Sequence, residues 1–121
     1  MNAFDRIALE ALEAGIFIWF LDTDTLYGDT TIAALFGLDP QETVRGLPLM
    51  NYIQRIHPQD QPQVARLITE AVKTGEPYHA EYRVFDAFDE PRWVMAMGRC
   101  FRDKGNNPRH YAGIVHPLDA L

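Results

Sequence analysis

The sequence predicts an α+β domain: one five-stranded antiparallel sheet with helices inserted between strands 2 and 3, plus an amphipathic helix ahead of strand 1. Three observations predict it. Segments rich in β-formers stand as a pair near the N-terminus and as a run of three near the C-terminus, separated by short polar turns. Between these two groups, apolar residues recur at helical spacing behind helix-capping residues. A chain of 121 residues has room for one such two-layer unit and no second core.

Each element follows from local chemistry. Phe4, Ile7, Ala8, Ala11 and Leu12 form one stripe opposite Asp5, Arg6, Glu10 and Glu13, so residues 1–14 read as a helix with Asn2 as N-cap and Gly15 as its stop. Ile16 to Leu21 is short, bounded by breakers and rich in β-formers, which predicts a strand. Asp22-Thr23-Asp24 turns the chain, and Thr25 to Gly28 returns as strand 2. Thr30 to Phe36 is a short helix ended by Gly37. Asp39-Pro40-Gln41-Glu42 opens another with a cap, a first-turn proline and a capping-box glutamate. Pro48 to Ile56 is expected to be helical, burying Leu49, Ile53 and Ile56. His57-Pro58-Gln59-Asp60 then starts the longest helix, whose Val64, Leu67, Ile68, Ala71 and Val72 share a face, and Gly75 closes it.

The last three strands differ in pattern. Tyr78, Ala80, Tyr82 and Val84 alternate with His79, Glu81 and Arg83, which predicts one buried and one solvated face. Asp86 to Glu90 is the turn. The fourth strand sets Trp93, Met95, Met97 and Phe101 against Val94, Ala96, Gly98 and Cys100, and neither set is polar. Strand 1 likewise lacks alternation, so both of its faces are expected to be buried. After Asp103-Lys104-Gly105-Asn106-Asn107, the fifth strand runs from about Arg109 to Val115 and Pro117 halts it. The domain is therefore expected over 15–117, with 118–121 as a tail.

Eleven Lys and Arg against seventeen Asp and Glu leave a net charge of −6, which disfavours nucleic acid and anionic membranes as partners. The longest apolar run, Ile16 to Leu21, is six residues, against the roughly 20 that span a bilayer. The acidic N-terminus does not read as a signal peptide, and a lone Cys100 suits a reducing compartment, so the expected location is the cytoplasm.

Five short motifs fall in order along this framework: Gly15-Ile16-Phe17-Ile18-Trp19, Leu35-Phe36-Gly37-Leu38-Asp39-Pro40, His57-Pro58-Gln59-Asp60, Glu81-Tyr82-Arg83 and Arg92-Trp93-Val94. Together they resemble a PAS domain, a small sensory module of signalling proteins, over nearly the whole chain. The resemblance implies a bacterial, non-catalytic signal-transduction domain, freestanding or part of a two-component or related protein. Implied partners are a second copy of the chain, a histidine kinase or a diguanylate cyclase. It also implies a cavity between the central helix and the sheet for a cofactor or small metabolite. Three departures stand out. Ile18 and Phe20 are apolar where many relatives are polar, which implies a covered sheet back. Phe88-Asp89 replaces the usual Asp-Gly turn. Pro117-Leu118-Asp119 replaces the Asp-Ile-Thr ending that couples many such sheets to an output helix.

Which cofactor is left open, but two modes are disfavoured. Haem-binding relatives place a histidine on the central helix, and Pro58 to Thr74 has none. Light-sensing relatives attach flavin to a cysteine in an Asn-Cys-Arg-Phe-Leu-Gln setting, whereas Cys100 lies on a strand among small residues and reads as a buried thiol. His57, His79, His110 and His116 lack metal-ligand spacing, with His57 expected to organise the helix start. The sequence contains no serine, and its paired turn carboxylates, Asp22 with Asp24 and Asp86 with Asp89, suit backbone hydrogen bonding better than acid-base work.

The candidate pocket for a small apolar metabolite comprises Phe17, Trp19, Phe36, Met50, Ile53, Leu67, Tyr82, Met95 and Met97, a set that core packing also explains. The candidate dimer or partner surface is Phe4, Ile7, Ala8, Ala11, Leu12, Ile18 and Phe20. Glu81, Arg83 and Arg92 are expected to pair across the hairpin and set register. Two rivals accompany this reading: a ligand-free structural interaction module, and a cone-shaped α+β isomerase or hydratase, which would need a buried acid-base group in its cavity.

Overall fold

A computed structural model describes residues 14–118. Five strands, β1 (Gly15–Phe20), β2 (Thr25–Gly28), β3 (Tyr78–Phe85), β4 (Pro91–Arg102) and β5 (Pro108–Pro117), form one sheet in the order β2-β1-β5-β4-β3. All four pairings are antiparallel. Four helices, α1 (Thr30–Phe36), α2 (Pro40–Arg45), α3 (Leu49–Ile53) and α4 (Gln61–Thr74), lie between β2 and β3 in sequence. The α+β architecture is the one expected. The amphipathic helix expected over Phe4 to Leu12 lies outside the described residues.

Caps place the helices as the side chains dictate. Asp29 accepts hydrogen bonds from the amides of Ile32 (3.0 Å) and Ile16 (3.1 Å), so one carboxylate starts α1 and fixes it to β1. Asp39 caps α2 through the Glu42 amide at 3.0 Å. Gly37 ends α1 at φ 64°, a left-handed conformation that costs glycine nothing. Two expected helices are shorter than the sequence suggests. The Pro48 to Ile56 segment is helical only over α3, and α4 begins at Gln61 because His57 to Asp60 form a tight turn before it, with the Asp60 amide bonded to the His57 carbonyl. His57 does organise that turn: its Nδ1 accepts from the Gln59 amide, and its ring stacks on Phe85.

Each edge of the sheet is bridged at one point. Leu47 bridges to Leu26 at the β2 edge, and Ile56 bridges to Val84 at the β3 edge. At the β3 edge Asp60 replaces a strand: its carboxylate accepts from the Arg83 backbone amide at 2.9 Å and from the Arg83 guanidinium at 2.9 and 2.8 Å. These contacts occupy an edge that would otherwise be free to pair with another chain. Arg83 thus forms its ion pair with the turn before α4, and across the hairpin its guanidinium lies 5.2 Å from the ring centroid of Trp93, its cross-strand neighbour. Its own hydrogen bonds hold the Asp60 carboxyl below the ordinary 3.8, the Arg83 bond being the largest cause.

The core lies between the inner sheet face and the helices. Ile32, Leu35, Ile56, Val84 and Val94 are fully buried there. The outer face departs from expectation. β1 does alternate, with Phe17 inside while Ile16 is 64% exposed and Phe20 is also exposed. On β4, Trp93 is 50% exposed, and Met97 and Phe101 are exposed with it. The covered back is therefore not seen among the described residues. β5 ends on Pro117, buried opposite Val94, so the proline is a strand residue rather than a stop beyond it.

Candidate functional site

The inner face of the sheet is built from two sizes of residue. One row across it reads Gly28, Phe17, Gly113, Gly98 and Tyr78, by the register of the four pairings. The central glycines are required by space. A Cβ on Gly113 would meet the Met97 carbonyl oxygen at 1.9 Å, and one on Gly98 would meet the Tyr111 hydroxyl at 3.0 Å. Tyr111 leans over this glycine floor, with Phe17 and Tyr78 on either side at centroid distances of 5.8 and 5.6 Å.

Above the floor is a narrow apolar cavity, with about 40 Å³ open to the centre of a water-sized sphere. β1 and β2 contribute Phe17, Trp19 and Leu26; α1 contributes Ile32 and Phe36; α3 and the turn after it contribute Leu49, Tyr52, Ile53 and Ile56. Val64 and Ile68 of α4, Tyr78 and Tyr82 of β3, and Tyr111 and Val115 of β5 complete it. Among the described residues, no lining side chain is charged, and none is a histidine or cysteine. The described lining therefore offers haem no histidine and flavin no thiol. Nor do the described lining residues include an Asp or His, the acid-base group expected of the isomerase reading.

The polar atoms of the lining are phenols and one indole. Trp19 donates through Nε1 to Asp24 at 2.9 Å, and the same carboxylate oxygen accepts from the Leu49 amide, tying the β1–β2 turn to α3. Tyr52 donates to the Leu26 carbonyl at 3.0 Å, and burial pushes its phenol up to about 12. Burial likewise raises Tyr78 to about 12 and Tyr82 well above its ordinary value, where the neighbouring Tyr78 hydroxyl adds to the effect. The Tyr111 hydroxyl is buried and has no hydrogen-bond partner among the described residues.

Of the residues expected in a pocket, Phe17, Trp19, Phe36, Ile53 and Tyr82 line this cavity together. Leu67 is partly buried and packs on the core without lining it. Met50 is 58% exposed, because the single turn of α3 buries Tyr52 and Ile53 on its other side. Met95 and Met97 lie on the outer sheet face, since the pleat of β4 turns Val94, Ala96 and Cys100 inward. The other lining residues, Tyr52, Tyr78 and Tyr111 among them, are not in the set expected from sequence. The alternation Tyr111, Gly113, Val115 was the signal available for Tyr111.

The other candidates are structural. Asp86 is buried, and its carboxylate accepts from the amides of Phe88 (2.8 Å) and Glu90 (3.1 Å), which shapes the β3–β4 turn. Asp89 takes φ 59° there, the role that glycine fills in an Asp-Gly turn. Arg55 fastens this turn to α1, donating to the carbonyls of Phe36, Phe85 and Asp86 and pairing with Asp89 at 3.2 Å. Cys100 is buried on the inner face. Among the described residues, no three His, Cys, Asp or Glu side chains converge as a metal site would require.

The outer face carries an aromatic row. Phe20 meets Tyr27 edge-on at 5.8 Å and His110 at 5.7 Å, His110 stacks on Phe101 at 5.3 Å, and Arg99 lies over Phe101. Of the candidate partner surface, Ile18 and Phe20 stand on this face. Phe4, Ile7, Ala8, Ala11 and Leu12 lie outside the described residues.

Comparison with known proteins agrees with this geometry. The model of a family described as PAS fold matches residues 25–115. The structure is similar to the N-terminal domain of a diguanylate cyclase with a PAS/PAC sensor from Marinobacter aquaeolei, with TM-score 0.78, 19% identity, and coverage of 88% of this chain and 96% of that one. It is also similar to a sensory box histidine kinase/response regulator from Burkholderia thailandensis, with TM-score 0.74, 20% identity, and coverage of 95% and 84%. The PAS domain of a Colwellia psychrerythraea protein aligns at TM-score 0.71 and 14% identity over 99% of this chain and 100% of that one. A search of curated proteins found no significant match.

Proposed function

Since the chain belongs to the PAS-fold family, we propose that it is a non-catalytic sensory module of a bacterial signalling protein. A small ligand would occupy the cavity, and the outer sheet face would carry the response to a second copy of the chain. The observation behind this reading is that the cavity is walled by both layers at once: Phe17, Tyr82 and Tyr111 from the sheet, and Ile32, Ile53 and Val64 from the helical side. A guest there touches both layers. It shifts their relative packing to the extent that it binds one arrangement better than the other. The strands that line the cavity present Ile18, Phe20 and His110 on their opposite face, so a change in β1 or β5 reaches the aromatic row within one residue. Support for a kinase or cyclase as downstream partner comes from the similar chains, which belong to proteins of those names. Among the described residues no helix is long and apolar enough to cross a membrane, and a cytoplasmic location fits the charge and the lone cysteine.

Native mass spectrometry of freshly purified protein tests both parts together. A dimer carrying a small retained mass is expected, with a Phe20→Glu, Phe101→Glu variant that is monomeric yet keeps the mass. A bare monomer for parent and variant alike would contradict the proposal and leave the ligand-free interaction module standing.

A further inference from the structure

We infer that pairing of two copies through the outer sheet face is switched off by acid, because that face holds three of the chain's four histidines and is near charge balance only while they are neutral. This rests on the reading of the face as the contact with a second copy and names its regulation. Among the described residues, the outward strand positions carry His79, Glu81 and Arg83 on β3, Arg99 on β4, and His110 and His116 on β5, and the remaining outward positions hold no charge. Arg83 is neutralised by Asp60 at 2.8 Å, and Glu81 balances Arg99. A chain of net charge −6 therefore turns a nearly neutral face outward here, with Ile16, Phe20, Trp93 and Met97 exposed on it. That combination suits a second copy. A two-fold contact sets each patch against its own image, so any net charge on the face would meet a like charge, and near neutrality removes that repulsion.

Protonation restores it. With the three imidazoles charged, each copy brings three more positive charges to an apolar contact, where burying an unpaired charge is costly. The three are not equal. Glu81 stands beside His79 on β3 and across Met95 from His116, so it offsets part of their charge. His110 lies between Phe20 of β1 at 5.7 Å and Phe101 of β4 at 5.3 Å, and the charged side chain against that same Phe101 ring is Arg99, at 5.0 Å. Tyr27 of β2, edge-on to Phe20, is uncharged. Arg109, next to His110 in the chain, directs its charge at Asp103 of the β4–β5 turn. A proton on His110 thus adds a second cation to an aromatic row that already holds one. Open to water, the row tolerates an imidazolium against its ring faces; closed under a second copy, it does not.

Sedimentation equilibrium of the full chain at about pH 8 and about pH 5.5 reads the switch, since histidine is the side chain whose ordinary titration falls in that interval. The parent is expected to dimerise at the higher pH, with a Kd at least about tenfold larger at the lower. In His110→Gln the ratio of the two Kd values is expected to shrink severalfold, and with His79→Gln and His116→Gln added it is expected to approach unity. The parent alone supplies a second readout by NMR. Because proton uptake and association oppose each other, the His110 ring signals are expected to reach their acid positions at a lower pH in concentrated than in dilute protein. Equal Kd at both pH values, the parent's ratio retained in the triple variant, or a His110 titration indifferent to concentration would overturn the inference while leaving the face a contact between copies. A parent that is monomeric at both pH values would overturn that reading as well.

Discussion

On the inner face of β4 stand Val94, Ala96, Gly98 and Cys100; on its outer face stand Trp93, Met95, Met97 and Phe101. Both sets are apolar, and the smaller side chains are the ones turned toward the core. The inner face needs small residues because large ones already converge there from two sides: Tyr78, Tyr82 and Tyr111 from neighbouring strands, and Phe36 and Tyr52 from the helices. The floor of Gly98 and Gly113 admits Tyr111, and the mismatch of shapes above it leaves the cavity. The outer face has no such crowding and carries the large aromatic surface instead. Size rather than polarity separates a face that encloses a guest from a face suited to meeting another protein.

That contrast can be broken by substitution. Gly113→Ala, which drives a Cβ into the Met97 carbonyl, should destabilise the domain most, by about 3 kcal/mol or more in urea unfolding. Leu35→Ala, at a fully buried position, should cost about 3 kcal/mol through lost burial and a new void. Ile16→Ala, on the outer face, should change stability by under about 0.5 kcal/mol. A loss at Ile16 matching that at Leu35 would mean that the outer face is part of the packed core.

The smallest effect concerns the β3 edge. Asp60 has a lowered folded-state pKa, so its contribution is complete above its unfolded value near 3.8 and is lost as pH falls through the lower folded value. The parent should therefore be more stable than Asp60→Asn at pH 7. The two stabilities should converge as the pH is taken from about 4 downward, as read by thermal unfolding across that range. A stability gap that stayed constant with pH would show that the Arg83 pairing does not carry the effect.

These faces also explain what the sequence could tell. β3 was legible because His79 and Glu81 mark its wet side against Ala80 and Tyr82. β4 is harder to read, because its two faces differ mainly in side-chain size and its polarity signal is Arg99 alone, in step with Met95 and Met97 and exposed on the outer face. Order and handover of the elements were readable from caps at Asp29 and Asp39 and from Gly37 and Gly75. The Asp60–Arg83 pair joins residues 23 positions apart, and no local pattern announces it. The unpaired hydroxyl of Tyr111 depends on Gly98 in the adjacent strand, so it emerges only once register is known.

The central claim is that a guest enters on the inner face and is sensed through it. Amide and aromatic NMR of the parent titrated with 2-butanone tests this most directly. The account predicts that the first and largest shifts arise at Phe17, Ile53, Tyr82 and Tyr111, with smaller ones following at Phe20 and His110 across the strands. Shifts confined to Phe20, Trp93 and Phe101, with the inner residues unmoved, would contradict it.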